Sequence, residues 1–370
     1  MEFYIFDLNL NRHGILDDFI DVKINPKYDD LGSLHLTVEG TKNILDLLQV
    51  DRIIVKTTDL TKGYIIKTFE YLDEKATQLQ IIAPSLNVIL NDRLVLGQQE
   101  FNGYIENVMK SFVYANAVAP ANPNRIIPNL TISSSVGIPI ETTEGTVNQP
   151  LCDYLYELAK KHDVSFDILL DHENKKLVFH VWQGIDRSSQ QSENPRVIFA
   201  KEFENVLRQH YVESVTDNKT TAIVLGEEIE GSPQEIVTVN DELSGFNRKE
   251  ILVEGNDIKK TFTNENDQEI TLSDAEYRRL LDEKGRNTLS EYIPIRTFES
   301  DIDPGANFIY ETDYFLGDKV SIRNDELGVI LHTRIVGVIE TENKQGYSLQ
   351  LNFGSNIPSL IDKVKRAVNN

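Results

Sequence analysis

The run Asp313, Tyr314, Phe315, Leu316, Gly317, Asp318, Lys319, Val320, Ser321, Ile322 constrains this chain more than any other stretch. A tight corner at Leu316, Gly317 and Asp318 opens a strand, and glycine there accepts the positive φ that a Cβ resists. Residues 334–339 alternate between two faces, turn over Glu342, Asn343, Lys344, Gln345 and Gly346, and return as a second alternating strand through 348–354. A corner followed by a tight hairpin commits the segment to antiparallel pairing. These strands read as the closing part of a small barrel.

A chain of 370 residues exceeds one ordinary core and implies two to four domains. Its apolar fraction of 40% is enough to fill packed interiors. No window approaches the ~18–20 uninterrupted apolar residues of a membrane span. The opening Met1, Glu2, Phe3, Tyr4 lacks a basic leader, so folding in a cytoplasm is expected. Cys152 is the single cysteine, which excludes an internal disulfide and a cysteine-rich zinc site. The net charge of −22 is spread along the chain and disfavours a basic nucleic-acid groove. Solubility is its first reading; the wall of a channel that lets phosphate slip past is a second, which charge alone does not select.

The fold class expected is mainly β with α+β elements: two similar antiparallel β-barrels, a peripheral α+β domain and an inserted domain. Short alternating strands separated by turns fill residues 1–97, the first barrel, with a short helix near 41–50 and a second at 84–96. Residues 98–195 make the α+β unit. Its helices fall at 102–117, from the spacing of Ile105, Val108, Met109, Phe112 and Val113, and after Pro150, and a hairpin joins 164–170 to 176–182. Residues 196–230 and 291–355 form the second barrel, and 231–290 are inserted into it. That insertion ends in a helix opened by the capping box Ser273–Glu276, with Tyr277, Leu280, Leu281 and Leu289 as its apolar stripe. An amphipathic helix is expected over 356–370.

No catalytic constellation is legible. Asp7, Asn9, Asn11 and Asp18 resemble calcium-loop ligands, but Arg12 occupies the position that requires glycine. The histidines at 13, 35, 162, 172, 180, 210 and 332 show no metal-ligand spacing. Gly-x-Ser-x-Gly, phosphate-loop and dinucleotide fingerprints do not occur. Trp182 offers a stacking surface for sugar, but its expected role is that of a core anchor. No catalytic, cofactor or metal residues are therefore assigned, and no enzyme is expected. The single candidate site is the Leu316–Gly317–Asp318 corner, as a purely architectural turn or a subunit-interface element.

In order and spacing several segments resemble the siphophage tail-hub proteins, the structural N-terminal module of tail-associated lysins. They are Tyr28, Asp29, Asp30, Leu31, Gly32, Ser33, Leu34, His35 and Leu36; Gly63 to Ile66; Ser85 to Arg93; Leu281 to Arg286; and Leu316 to Asp318. The resemblance implies a homotrimer in which two barrels per chain present six similar domains, matching a sixfold tube above to a threefold tip below. It implies as partners further copies of itself, the distal tail protein or tube ring, the tape-measure protein, and receptor-binding or spike proteins. DNA would pass through the lumen without specific binding. The expected location is the tail tip of a virion assembled in the host cytoplasm. Lysins of this type carry wall-degrading or receptor-binding domains after the hub module, whereas this sequence runs to Asn370. A cell-wall hydrolase and a carbohydrate-binding adhesion module stand as the alternatives.

Overall fold

A computed structural model describes residues 1–73, 77–229, 231–263 and 269–354. Two compact units emerge, each assembled from separated stretches of chain. The first comprises Met1–Ser85, Gln183–Ser214 and the described residues from 295 onward; the second comprises Leu86–Trp182 and Val215–Pro294.

In the first unit Phe3–Phe6 pairs with Arg12–Leu16 and Ile53–Lys56, and the last of these with Gly63–Ile65. This four-stranded sheet packs on a second one through Phe3, Ile5, Val22, Leu34, Leu36 and Leu79. The strand Ser33–Glu39 shows why: Leu34, Leu36 and Val38 alternate inward, while Ser33, His35, Thr37 and Glu39 face outward. Each fully buried aliphatic side chain there contributes ~1.5–3 kcal/mol.

The second sheet is the spine of the unit. Eight of its strands follow one another, all antiparallel: Val206–Ser214, Ile295–Ile302, Gly346–Gly354, Val329–Asn343, Asp21–Asn25, Ser33–Glu39, Thr77–Pro84 and Thr68–Asp73. The first four come from the later part of the chain and the last four from its beginning. They join where Glu340, Thr341, Glu342 and Asn343 pair with Ile24, Lys23, Val22 and Asp21. Lys56 reinforces the join with an ion pair to buried Glu340 at 3.0 Å. Val329–Asn343 spans 15 residues, and its length lets it serve two sets of partners. Its early half pairs with Lys319–Asn324, which pairs in parallel with Ile198–Phe199.

In the second unit Leu94–Tyr104 pairs with Glu141–Pro150. The helices Ile105–Val113 and Leu151–His162 meet through Phe112 and Tyr154, whose rings lie edge to face at 5.0 Å. Ser165–Asp171 and Lys176–Trp182 form the expected hairpin, with Leu130–Ile132 added in parallel. Thr221–Leu225 sits between Ile236–Val239 and Glu250–Glu254 and carries the helix Asp274–Glu291 on its apolar face. Gly285 allows the close approach, because a Cβ there would lie 2.6 Å from Val239 Cγ2 and 2.8 Å from Val224 Cγ2. The helix opens with the reciprocal Ser273–Glu276 capping box, and Tyr277, Leu280, Leu281 and Leu289 are buried as their spacing predicts.

The mainly β class with α+β elements is observed, but the strands form open sheets and not the expected closed barrels. The two intended barrels share one sheet, because the edge of the N-terminal strands is completed by the long 329–343 strand before it can close on itself. The strand near 220–226, expected in the second barrel, pairs in the second unit instead. Alternation marks a strand's buried face and is silent on its neighbour. The helix expected over 84–96 is a short 3₁₀ segment, Leu86–Asp92, after which the chain extends into Leu94–Tyr104. The helix expected at 356–370 lies outside the described residues.

Candidate functional site

The run of eight strands exposes a long polar face. Register places Ser348, Thr341, Lys23, His35, the exposed Ile82 and Thr68 along one row, and Asn343, Asp21, Thr37, Gln80 and Glu70 along the next. Arg208, Asp301 and Gln350 continue the same face at the other end, beside His210, Glu299 and Asn352. Neutral Thr, Ser, Asn and Gln dominate. Carboxylates at Asp21, Glu39, Glu70, Glu299 and Asp301 outnumber the cations Lys23 and Arg208.

The two terminal strands each have one strand neighbour among the described residues. Along Thr68–Asp73, Phe69 and Tyr71 lie opposite the core residues Ile81 and Leu79, yet are 46% and 52% exposed. The inward row of the sheet thus runs past the unit's own core. At the far end Tyr211 stacks on buried Phe298 at 4.9 Å in the corresponding row, with Leu207 62% exposed nearby. Exposed apolar residues on a terminal strand are what natural sheets ordinarily avoid unless another chain covers them.

The Leu316–Gly317–Asp318 corner is built as a knot of polar contacts within the first unit. Gly317 has φ +87°, so the glycine expected from the turn is required by its backbone. Asp318 is buried and its carboxylate accepts from Ile185 N at 2.8 Å, Arg187 Nε at 2.8 Å and Phe315 N at 3.0 Å. Arg334, over the face of Tyr28 at 4.7 Å, donates to the Gly317 carbonyl. A Cβ on Gly184 would overlap that same carbonyl. These contacts fasten residues 184–187, where the chain returns to this unit, onto the strand that begins at Lys319. Gly184, Arg187 and Arg334 escaped the sequence reading: an arginine far along the chain carries no signal of which buried carboxylate it will meet.

The second unit holds a cavity of about 560 Å³ lined by residues of the 145–150 strand end, the 257–262 segment and the helix Asp274–Glu291. Glu157, Glu283 and Glu291 lie on its wall. Glu144, fully buried, sits beside it. Burial alone would push the Glu144 carboxyl up, but bonds from His162 Nε2 at 2.5 Å, Lys161 Nζ at 2.8 Å and Thr142 Oγ1 at 2.6 Å outweigh it and hold the group low. Glu283 goes the other way: burial first, then Glu144 beside it, raise its carboxyl well above the ordinary range. Burial and the charge of Glu291 push Glu157 up to about 7. None of these four acids was singled out in the sequence, where 59 acidic residues hide any pair.

The other sequence candidates find structural employment. Asp7 accepts from Asn9 N and Asn11 N, both at 2.9 Å, and its other oxygen meets His13 Nε2 at 3.0 Å, closing a polar turn. Among the described residues no group of three or more His, Cys, Asp or Glu is arranged to hold a metal ion. Trp182 is half-buried and donates its indole N–H to Asp167 at 2.9 Å. Cys152 is buried on its helix. No helix among the described residues is long and apolar enough to cross a membrane.

Comparison with known proteins fits this architecture. A family described as Siphovirus ReqiPepy6 Gp37-like protein matches residues 2–355. No curated protein matches the chain. Prophage tail protein gp18 from Listeria monocytogenes EGD-e is similar at 14% identity and a TM-score of 0.51, over 100% of this chain and 98% of its own. The 43 kDa tail protein of prophage MuSo2 from Shewanella oneidensis is similar at 11% identity and 0.54, over 96% and 98%. A tail protein from Neisseria meningitidis MC58 is similar at 12% and 0.53, over 95% of each chain. At such identities the solved structures speak to fold, and the family match covers nearly every described residue. The chain belongs to the Siphovirus ReqiPepy6 Gp37-like family.

Proposed function

We propose that this protein is a non-enzymatic structural hub of a phage or prophage tail tip, acting as a homotrimer closed head to tail through the ends of its eight-strand run. The observation that carries this reading is the run itself. Its terminal strands, Val206–Ser214 and Thr68–Asp73, point in opposite directions, so one copy's last strand can pair antiparallel with the next copy's first. Such a heterologous contact forms a ring when the rotation closes. The inward row would then run from Phe69 and Tyr71 to Tyr211 and Leu207. On the outward row Glu70 would face Arg208 and His210.

Each copy contributes two four-stranded halves, one from either end of the chain. Three copies would present six, which is how a threefold body meets a sixfold tube. The neutral and mildly acidic face would line the channel. Phosphate would find no run of Lys and Arg to hold it there, which suits DNA passing through. Distal tail, tube, tape-measure and spike proteins are the partners this placement requires.

Mass photometry and sedimentation of the full chain test the reading. Wild type is expected as a trimer at micromolar concentration. Phe69→Asp with Tyr71→Asp is expected to yield a folded monomer. A wild-type protein that stays monomeric at tens of micromolar, or a trimer indifferent to the double substitution, would sink it.

A further inference from the structure

Two carboxylate pairs cross one seam of the second unit. The helix Asp274–Glu291 brings Glu283 to Glu144 of the strand Glu141–Pro150, and brings Glu291 to Glu157 of the helix Leu151–His162. The cavity of about 560 Å³ lies along the same seam. We infer that these pairs form a proton-operated latch, closed while Glu283 and Glu157 hold their protons and released when they lose them.

The geometry assigns the roles. Glu144 is neutralised from its own side by Lys161, His162 and Thr142, and stays a carboxylate. Glu283 reaches it from the helix. One oxygen accepts from Gly145 N at 3.2 Å and the other from Arg279 at 3.2 Å, but Arg279 is shared with Glu100. As an acid, Glu283 can give its proton to Glu144 and join helix to strand. As a second carboxylate it meets a buried charge of its own sign. Glu157 accepts from Gln149 Nε2 at 2.6 Å and faces Glu291.

Of the cations along the cavity, Lys259 pairs with Glu227 at 2.9 Å and Lys284 pairs with Asp257, while Lys161, beside Glu144, lowers Glu283 without overcoming its burial. On the helix Leu151–His162, Lys160 lowers and Asp153 raises Glu157. The Tyr154 hydroxyl is buried close by and stays neutral, since burial and the surrounding acids raise it. Both Glu283 and Glu157 have folded-state affinities for protons above those of an unfolded glutamate. The closed seam is therefore favoured at acid pH and lost as pH rises toward the raised value of about 7.

Hydrogen exchange of the full chain, corrected for intrinsic rates, reads the latch directly. Between about pH 5 and about pH 7, peptides from 274–291 and 141–150 should lose protection by about tenfold per pH unit for each linked proton, and level off above the raised value of about 7. Peptides from 329–343 in the other unit should not change. Glu283→Gln keeps an acceptor for Gly145 N and a donor for Glu144, so its seam should stay protected at the alkaline end. Equal protection at both pH values in wild type would overturn the latch, as would a Glu283→Gln profile that tracks wild type. If 329–343 opens in parallel, the effect is global and the latch also fails.

Discussion

Replacing Asp318 with alanine removes three acceptor contacts from a site that water does not reach. Ile185 N and Phe315 N lose their partner, and Arg187, only 13% exposed in its side chain, keeps a charge with nothing opposite it. An orphaned buried amide costs ~1–3 kcal/mol. Breaking a buried ion pair by removing one member costs ~3–5 kcal/mol, because the survivor stays desolvated. These contributions overlap, since Arg187 can swing toward solvent, so the expected loss is ~3–5 kcal/mol. For a unit of this size that lowers its melting transition by about 10 °C. Asp318→Asn retains one oxygen and should lose about half as much. Calorimetry, with urea titration followed by far-UV circular dichroism, measures both. Only the transition that includes the first unit should move. A loss under about 0.5 kcal/mol for Asp318→Ala would refute the reasoning, because it would mean that the corner carries no more than an exposed turn does.

Gly184→Ala should be comparably damaging, at about 3 kcal/mol, because its new methyl meets backbone and not a yielding side chain; a neutral melting curve would contradict this. The buried Glu106 carboxyl is pushed up by burial, but Lys110, Ser135 and the amides of Val136 and Gly137 outweigh that and hold it at about 2, below its usual 4.5. Its contribution to stability is complete above the usual value and disappears as pH falls toward the lowered one. Residues 133–137 should therefore exchange faster as pH is lowered through that window. Glu106→Gln should flatten the dependence and weaken the same segment at neutral pH.

Local chemistry was readable from residues alone wherever a few neighbours settle the conformation. Gly317 was placed in a corner and has the positive φ a corner needs. Ser273 and Glu276 announced a helix start and make its capping box. Asp171, between two alternating runs, caps a real hairpin turn through Asn174. The Leu316–Gly317–Asp318 corner was visible as a turn, while its fastening to Gly184 and Arg187 was not. Asp318 and Arg187 are 131 positions apart, and nothing in either residue names the other.

The barrels failed as an expectation for the same reason. Ser33, His35, Thr37 and Glu39 alternate with Leu34, Leu36 and Val38, and that pattern states which face is buried but not which strand lies alongside. Pairing of 21–25 with 340–343 is a long-range choice, made when two half-covered sheets complete one another. Composition, turns, caps and inward faces are properties of a short window, where steric limits and periodicity act on adjacent residues. Sheet order, the joining of the chain's two ends and the meeting of Glu144 with Glu283 arise from packing, in which burial is shared among residues the chain keeps far apart.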